Sequence, residues 1–113
     1  MCMNISKELL LRINKGFGGN LRSDSSLDYA IEIQMNNKLG EYKKIAYLLR
    51  AILVDPPFSD GNKRTATFIA LKFAEQNKNQ VDRDILVQQI VSISKQNIIS
   101  IRNIEQRLRS CIG

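Results

Sequence analysis

Histidine is absent from the 113-residue chain, which excludes any mechanism that needs an imidazole as base, acid or metal ligand. Only two cysteines occur, Cys2 and Cys111, near opposite ends and without metal-ligand spacing. With no histidine beside them, the donor set of a structural zinc site is lacking. They read as two incidental thiols of a reducing compartment, although domain termini often lie close enough for such residues to meet. No apolar run approaches the roughly 18 residues needed to span a bilayer. The first residues lack the basic-then-apolar order of a signal peptide. A soluble, cytoplasmic protein with no membrane partner is the expectation. Internal repeats, low-complexity tracts and interdomain linkers are also missing, and the only two prolines are adjacent, Pro56 and Pro57.

Apolar residues make up 43% of the chain, spread along it, and the length suits one domain with a single core that needs no disulfide or metal staple. Lys and Arg outnumber Asp and Glu by 17 to 11, giving a net charge of +6. That balance favours anionic partners, whether nucleotides, nucleic acid or an acidic protein. The cations are scattered, with few aromatics between them, which reads as a solvated basic surface.

The periodicity predicts an all-α bundle of about six helices. Ser6 can cap a first helix carrying Leu9, Leu10 and Ile13, ended by Gly16, Gly18 and Gly19. Asp24, Ser25 or Ser26 can cap a second, with Leu27, Ala30, Ile31 and Met35, closed by Asn36, Asn37 and Gly40. A third runs from about Glu41 to Val54, and its broad apolar face of Ile45, Leu48, Leu49, Ile52 and Leu53 marks a central, buried element. Pro56 and Pro57 stop it. A fourth starts near Asn62 and holds Ala66, Phe68, Ile69, Ala70, Leu71 and Phe73. Asp82 or Asp84 begins a fifth with Ile85, Leu86, Ile90 and Ile93, and Ser100 a sixth with Ile101, Ile104 and Leu108. The one candidate strand is a short stretch near Val81.

The chemistry is concentrated at Phe58-Ser59-Asp60-Gly61-Asn62-Lys63-Arg64-Thr65-Ala66, where the fourth helix begins. A helix N-terminus offers unpaired amides and a positive dipole end, and phosphates bind there. Gly61 lets the backbone come close. Asn62 can cap the helix or donate its side-chain amide to a phosphate oxygen. Lys63 supplies a compact charge, and Arg64 can grip an oxyanion with two hydrogen bonds. Asp60 suits Mg²⁺, commonly held by a carboxylate plus substrate phosphates. Phe58 anchors the loop to the core. The bland reading of the same residues is a polar inter-helix turn.

This contiguous string resembles the signature of the Fic/Doc (Fido) family, His-x-Phe-x-Asp/Glu-Gly/Ala-Asn-Gly/Lys-Arg. The matching residues are Pro56-Pro57-Phe58-Ser59-Asp60-Gly61-Asn62-Lys63-Arg64. The lysine before the arginine resembles the Doc branch, the death-on-curing toxins of phage toxin–antitoxin pairs. The resemblance extends over most of residues 5 to 110, including the Gly18-Gly19 loop leading into Ser23-Asp24, but the loop is its only specific part. It implies a helical fold, Mg²⁺ at Asp60, and ATP or another nucleotide whose phosphates meet Gly61, Asn62, Lys63 and Arg64. Family members transfer AMP or another phosphate-containing group to a target hydroxyl, and Doc-type members phosphorylate a protein target and stop translation.

Three features depart from that pattern. The first motif position, the histidine that deprotonates the attacking hydroxyl, is Pro56, which cannot titrate. A positioned base is worth about 10²- to 10⁴-fold in rate. Asp55 is the nearby candidate substitute, but it sits one residue early and at the negative end of the preceding helix dipole. The target-docking flap is shortened or missing, since only Asn36 to Glu41 separate the helical patterns before the central helix. No Ser/Thr-x-x-x-Glu-Gly/Asn self-inhibitory motif is found. The leading expectation is a degenerate Fic/Doc-like protein that binds a nucleotide, and an antitoxin-like or target protein, without transferring anything. An active toxin transferring a phosphoryl or AMP group comes second, since phosphoryl transfer depends chiefly on positioning and electrostatics. A basic nucleic-acid-binding helical module comes last.

Overall fold

The computed structural model describes residues 5–23 and 25–113. Cys2 and the cap candidate Asp24 lie outside the described residues. Six helices follow one another: α1 (Lys7–Gly16), α2 (Ser25–Ile33), α3 (Glu41–Leu53), α4 (Asn62–Gln76), α5 (Arg83–Gln96) and α6 (Ile101–Cys111). The fold is all-α, as the periodicity predicts.

Local chemistry accounts for most of the boundaries. The Ser6 hydroxyl accepts from the Leu9 amide at 3.1 Å, the Asp82 carboxylate from Ile85 at 3.2 Å, and the Ser100 hydroxyl from Asn103 at 3.2 Å. Each such cap is worth about 1 kcal/mol. Of the two aspartates considered for α5, Asp82 is the cap and Asp84 lies in the first turn. α5 ends on Asn97 in the left-handed conformation, with φ of 50°, which asparagine tolerates better than most residues.

α2 is shorter than its apolar spacing suggests. Gln34, Met35 and Asn36 donate to the carbonyls three residues back, at 3.0–3.1 Å. This tighter winding rotates the chain off the Leu27–Ala30–Ile31 face, and Met35 ends up 80% exposed rather than on the core stripe. The Gln34 side chain then pins the turn, donating to the carbonyls of Ala30 and Lys44 at 3.0 Å each. Among the described residues no hairpin lies between α2 and α3. The strand expected near Val81 is a single antiparallel bridge to Ile112.

α3 is the centre of the bundle and packs against α2, α4, α5 and α6. Leu48, Leu49 and Ile52 are fully buried on it, and truncating any one to alanine would cost about 2–5 kcal/mol. The buried apolar residues of all six helices form one cluster, which Phe58 of the α3–α4 loop joins. Among the described residues no helix is long and apolar enough to cross a membrane.

Candidate phosphate-binding loop

The α3–α4 loop is held from three sides. Phe58 is 2% exposed and its ring sits in the core cluster. Its backbone pairs with Leu21 in an antiparallel bridge, and the Pro57 carbonyl accepts from the amides of Arg22 and Ser23 at 2.7 and 3.2 Å. Ser59 donates its amide to the Asn20 carbonyl at 2.8 Å, while its hydroxyl accepts from the Asn20 amide at 3.0 Å. The segment after α1 is thereby laced along residues 57–59.

Asn14 supplies the third hold, and nothing in the sequence pattern singled it out. It lies in α1, is 1% exposed, and donates its side-chain amide to the Asp60 carbonyl at 2.8 Å and the Thr65 hydroxyl at 3.2 Å. One residue thus ties the last loop positions to the first turn of α4. The packing there is close. A Cβ on Gly19 would lie 2.2 Å from Asn14 Oδ1 and 2.3 Å from the Asp60 carbonyl oxygen. Its place four residues after Leu10, just before a glycine cluster, is a signal that could have pointed to it.

Gly61 takes φ of 73°, the left-handed region that favours glycine. It occupies the N-cap of α4, so Asn62 does not cap the helix. Asn62 instead brackets Phe58: its Oδ1 accepts from the Phe58 amide at 3.2 Å, and its Nδ2 donates to the Phe58 carbonyl at 3.0 Å. The side chain is thereby committed to loop shape. Among the described residues no side chain caps α4, and no acid lies in its first turn. Among the described residues, the amides of Asn62, Lys63 and Arg64 meet no acceptor. The Gly61 amide is taken by Asp60 Oδ1 at 2.8 Å.

Lys63 and Arg64 are exposed and make no ion pair among the described residues. Both line a depression of about 320 Å³ with Ser59, Asp60, Gly61 and Asn62. All four residues expected to meet phosphate, and the carboxylate expected to hold Mg²⁺, therefore line one depression. No group of three or more acidic or cysteine side chains able to hold a metal occurs among the described residues.

Two further features bear on the chemistry. Asp55 does not face this depression. It accepts a hydrogen bond from the Ser26 hydroxyl and lines a separate groove of about 420 Å³ with Tyr29, Arg50 and Ile99. Pro56 is exposed and lines neither. On the other side of Lys63 and Arg64 lies an apolar groove of about 390 Å³, formed by Phe17, Phe68, Leu71, Val87 and Val91 among others. Phe68 belongs to α4 but sits off the core side, 42% exposed, with its ring edge-on to Phe17 at 6.5 Å.

No family model, no curated protein and no solved structure matches the chain.

Proposed function

We propose that residues 58–64 form a Fic/Doc-like nucleotide-binding loop that has lost its general base, so that the protein acts by binding a polyphosphate rather than by transferring a group from it. The observation that carries this reading is the start of α4. Residues whose amides meet no acceptor and whose cations make no ion pair among the described residues line one depression with a carboxylate, where the helix dipole adds to the positive field. A solvated turn would be expected to satisfy its first-turn amides with a capping side chain. Here the N-cap is Gly61, which has no side chain, and the Asn62 side chain is turned back onto Phe58.

Within this reading the phosphates meet the amides of Asn62 to Arg64 and the side chains of Lys63 and Arg64. Asp60 holds Mg²⁺, which neutralises phosphate charge when bound. The adjoining apolar groove of Phe17, Phe68 and Val91 receives the nucleoside, and this favours a nucleotide over bare phosphate. Binding without transfer is supported by Pro56 at the base position and by the engagement of Asp55 with Ser26 outside the depression. No flap hairpin precedes α3 among the described residues, so an acceptor protein would find no extended strand there to pair with.

Calorimetric titration with Mg-ATP, Mg-ADP and inorganic triphosphate tests the reading. The nucleotides should bind, and Arg64→Ala should weaken them about 10-fold or more, as loss of a charge-assisted hydrogen bond worth about 1.5–3 kcal/mol requires. Absence of heat with every phosphate, or an Arg64→Ala isotherm identical to wild type, refutes it.

A further inference from the structure

The bundle gathers cations that the sequence leaves scattered. α3 carries Lys43, Tyr47 and Arg50 at i, i+4 and i+7, one stripe of the helix. α6 carries Arg102, Glu105 and Arg109 at i, i+3 and i+7. The two stripes border a groove of about 590 Å³ lined by Lys43, Tyr47, Arg102, Glu105 and Arg109. Its size is within the roughly 300–1,000 Å³ typical of ligand sites. It shares no residue with the α4 depression.

Its charges are unbalanced. Among the described residues the single lining carboxylate, Glu105, is already paired with Arg109 at 3.1 Å. Lys43 and Arg102 are exposed and have no ion pair or hydrogen bond among the described residues. Two arginines are held in place over aromatic rings. The Arg109 guanidinium lies 4.2 Å from the Tyr42 ring centre, and that of Arg50 lies 5.1 Å from Tyr47 while donating to the Ile99 carbonyl at 3.2 Å. Each keeps further N–H donors of its five for another partner. Tyr47 also meets Tyr29 edge-on at 6.2 Å, and Tyr29 is 52% exposed. Tyr29 and Arg50 line the neighbouring groove with Asp55, and the edge-on Tyr47–Tyr29 contact joins it to the cationic one, which Tyr47 lines.

We infer that the α3–α6 groove binds single-stranded nucleic acid, with phosphates at Lys43, Arg102 and Arg109 and a base against the Tyr47–Tyr29 step. Cations along a groove beside accessible rings are what an unpaired strand uses, because each base offers a flat face. A duplex hides those faces and is read by an element that protrudes into its grooves. An acidic peptide would satisfy the cations but make little use of the tyrosines.

The test is fluorescence anisotropy of the full chain with a labelled single-stranded RNA or DNA a dozen nucleotides long, the matching duplex, and poly-glutamate as competitor. The single strand should bind more tightly than the duplex. Its affinity should fall with salt on a log–log slope of about −1.4 to −2.8, from two to four phosphate contacts at about −0.7 each. The double variant Lys43→Glu/Arg102→Glu should lose at least about 10-fold in affinity while its melting curve is unchanged, both side chains being exposed. Lys63→Ala/Arg64→Ala should bind the strand as wild type does, which separates this groove from the α4 loop. The inference is overturned by absence of binding at low salt, by tighter binding of the duplex, or by equal displacement with poly-glutamate. It is also overturned if the charge-reversed variant keeps full affinity, or if loss of binding tracks Lys63 and Arg64 instead.

Discussion

Replacing Asn14 by alanine tests the account of the loop most directly. The substitution keeps the Asn14 carbonyl, which accepts from the amides of Phe17 and Gly19 at 2.9 and 3.2 Å, and removes only the side chain. Two hydrogen bonds are lost, to the Asp60 carbonyl and the Thr65 hydroxyl, at about 1 kcal/mol each. Thr65 is fully buried, so groups left without a donor add up to about 2 kcal/mol. Against this, Asn14 Oδ1 is itself buried without a partner, and deleting it recovers about 1 kcal/mol. The net cost is about 1–3 kcal/mol, or a fall in Tm of about 3–15 °C for a chain of this length. Asn14→Asp should be worse than Asn14→Ala, because a carboxylate cannot donate and would face the Asp60 carbonyl. Urea denaturation followed by circular dichroism gives the stability, and titration with Mg-ATP gives the effect on the site, expected to be a several-fold loss as the loop loosens. A cost below about 0.5 kcal/mol for Asn14→Ala, or Asn14→Asp matching wild type, would refute the assignment of Asn14 as the tie between α1 and the loop.

Gly61→Ala should cost about 2–3 kcal/mol in a chemical melt, from the left-handed φ of 73° and a Cβ placed 3.0 Å from that of Phe17. Phe68→Ala should weaken ATP several-fold by calorimetry and leave inorganic triphosphate unchanged, since only the nucleoside would reach that groove. Pro56→His, incubated with γ- and α-labelled ATP and lysate, should raise any label transfer by about 10²- to 10⁴-fold over wild type; no gain would count against a competent phosphate grip. Burial, then the nearby Asp82 charge, raises the Cys111 thiol above its ordinary pKa of 9.0, opposed in part by a backbone hydrogen bond. Its folded value therefore exceeds its unfolded one, so its contribution to stability is complete below pH 9.0 and declines as pH rises through the folded value. Alkaline unfolding of Cys111→Ala should lack that part of the pH dependence.

The helices were legible because each carries its own punctuation. Ser6, Asp82 and Ser100 cap where the short-range pattern places them, and the width of the α3 apolar face already implied its central position. Met35 was not legible: whether a terminal turn winds as α or tighter depends on Gln34 reaching Lys44 across the turn, a contact outside any local pattern. The loop residues were legible as a string, since Asp60, Gly61, Lys63 and Arg64 are contiguous and a helix start places them together whatever surrounds it. The role of the Asn62 side chain was not, because both its hydrogen bonds depend on how Phe58 is anchored.

By itself, then, the sequence determined an all-α chain, a helix opening on a glycine, an amide and two cations, and the absence of any imidazole. These follow from spacing and from side-chain chemistry, which act over a few residues. Tertiary structure alone decided that Asn14, 46 residues before Asp60, ties down the loop, that Asp55 turns away toward Ser26, and that Lys43 and Arg102 share a groove. Each of these joins residues far apart in the chain, and only the packing of the helices onto a common core sets which of them meet.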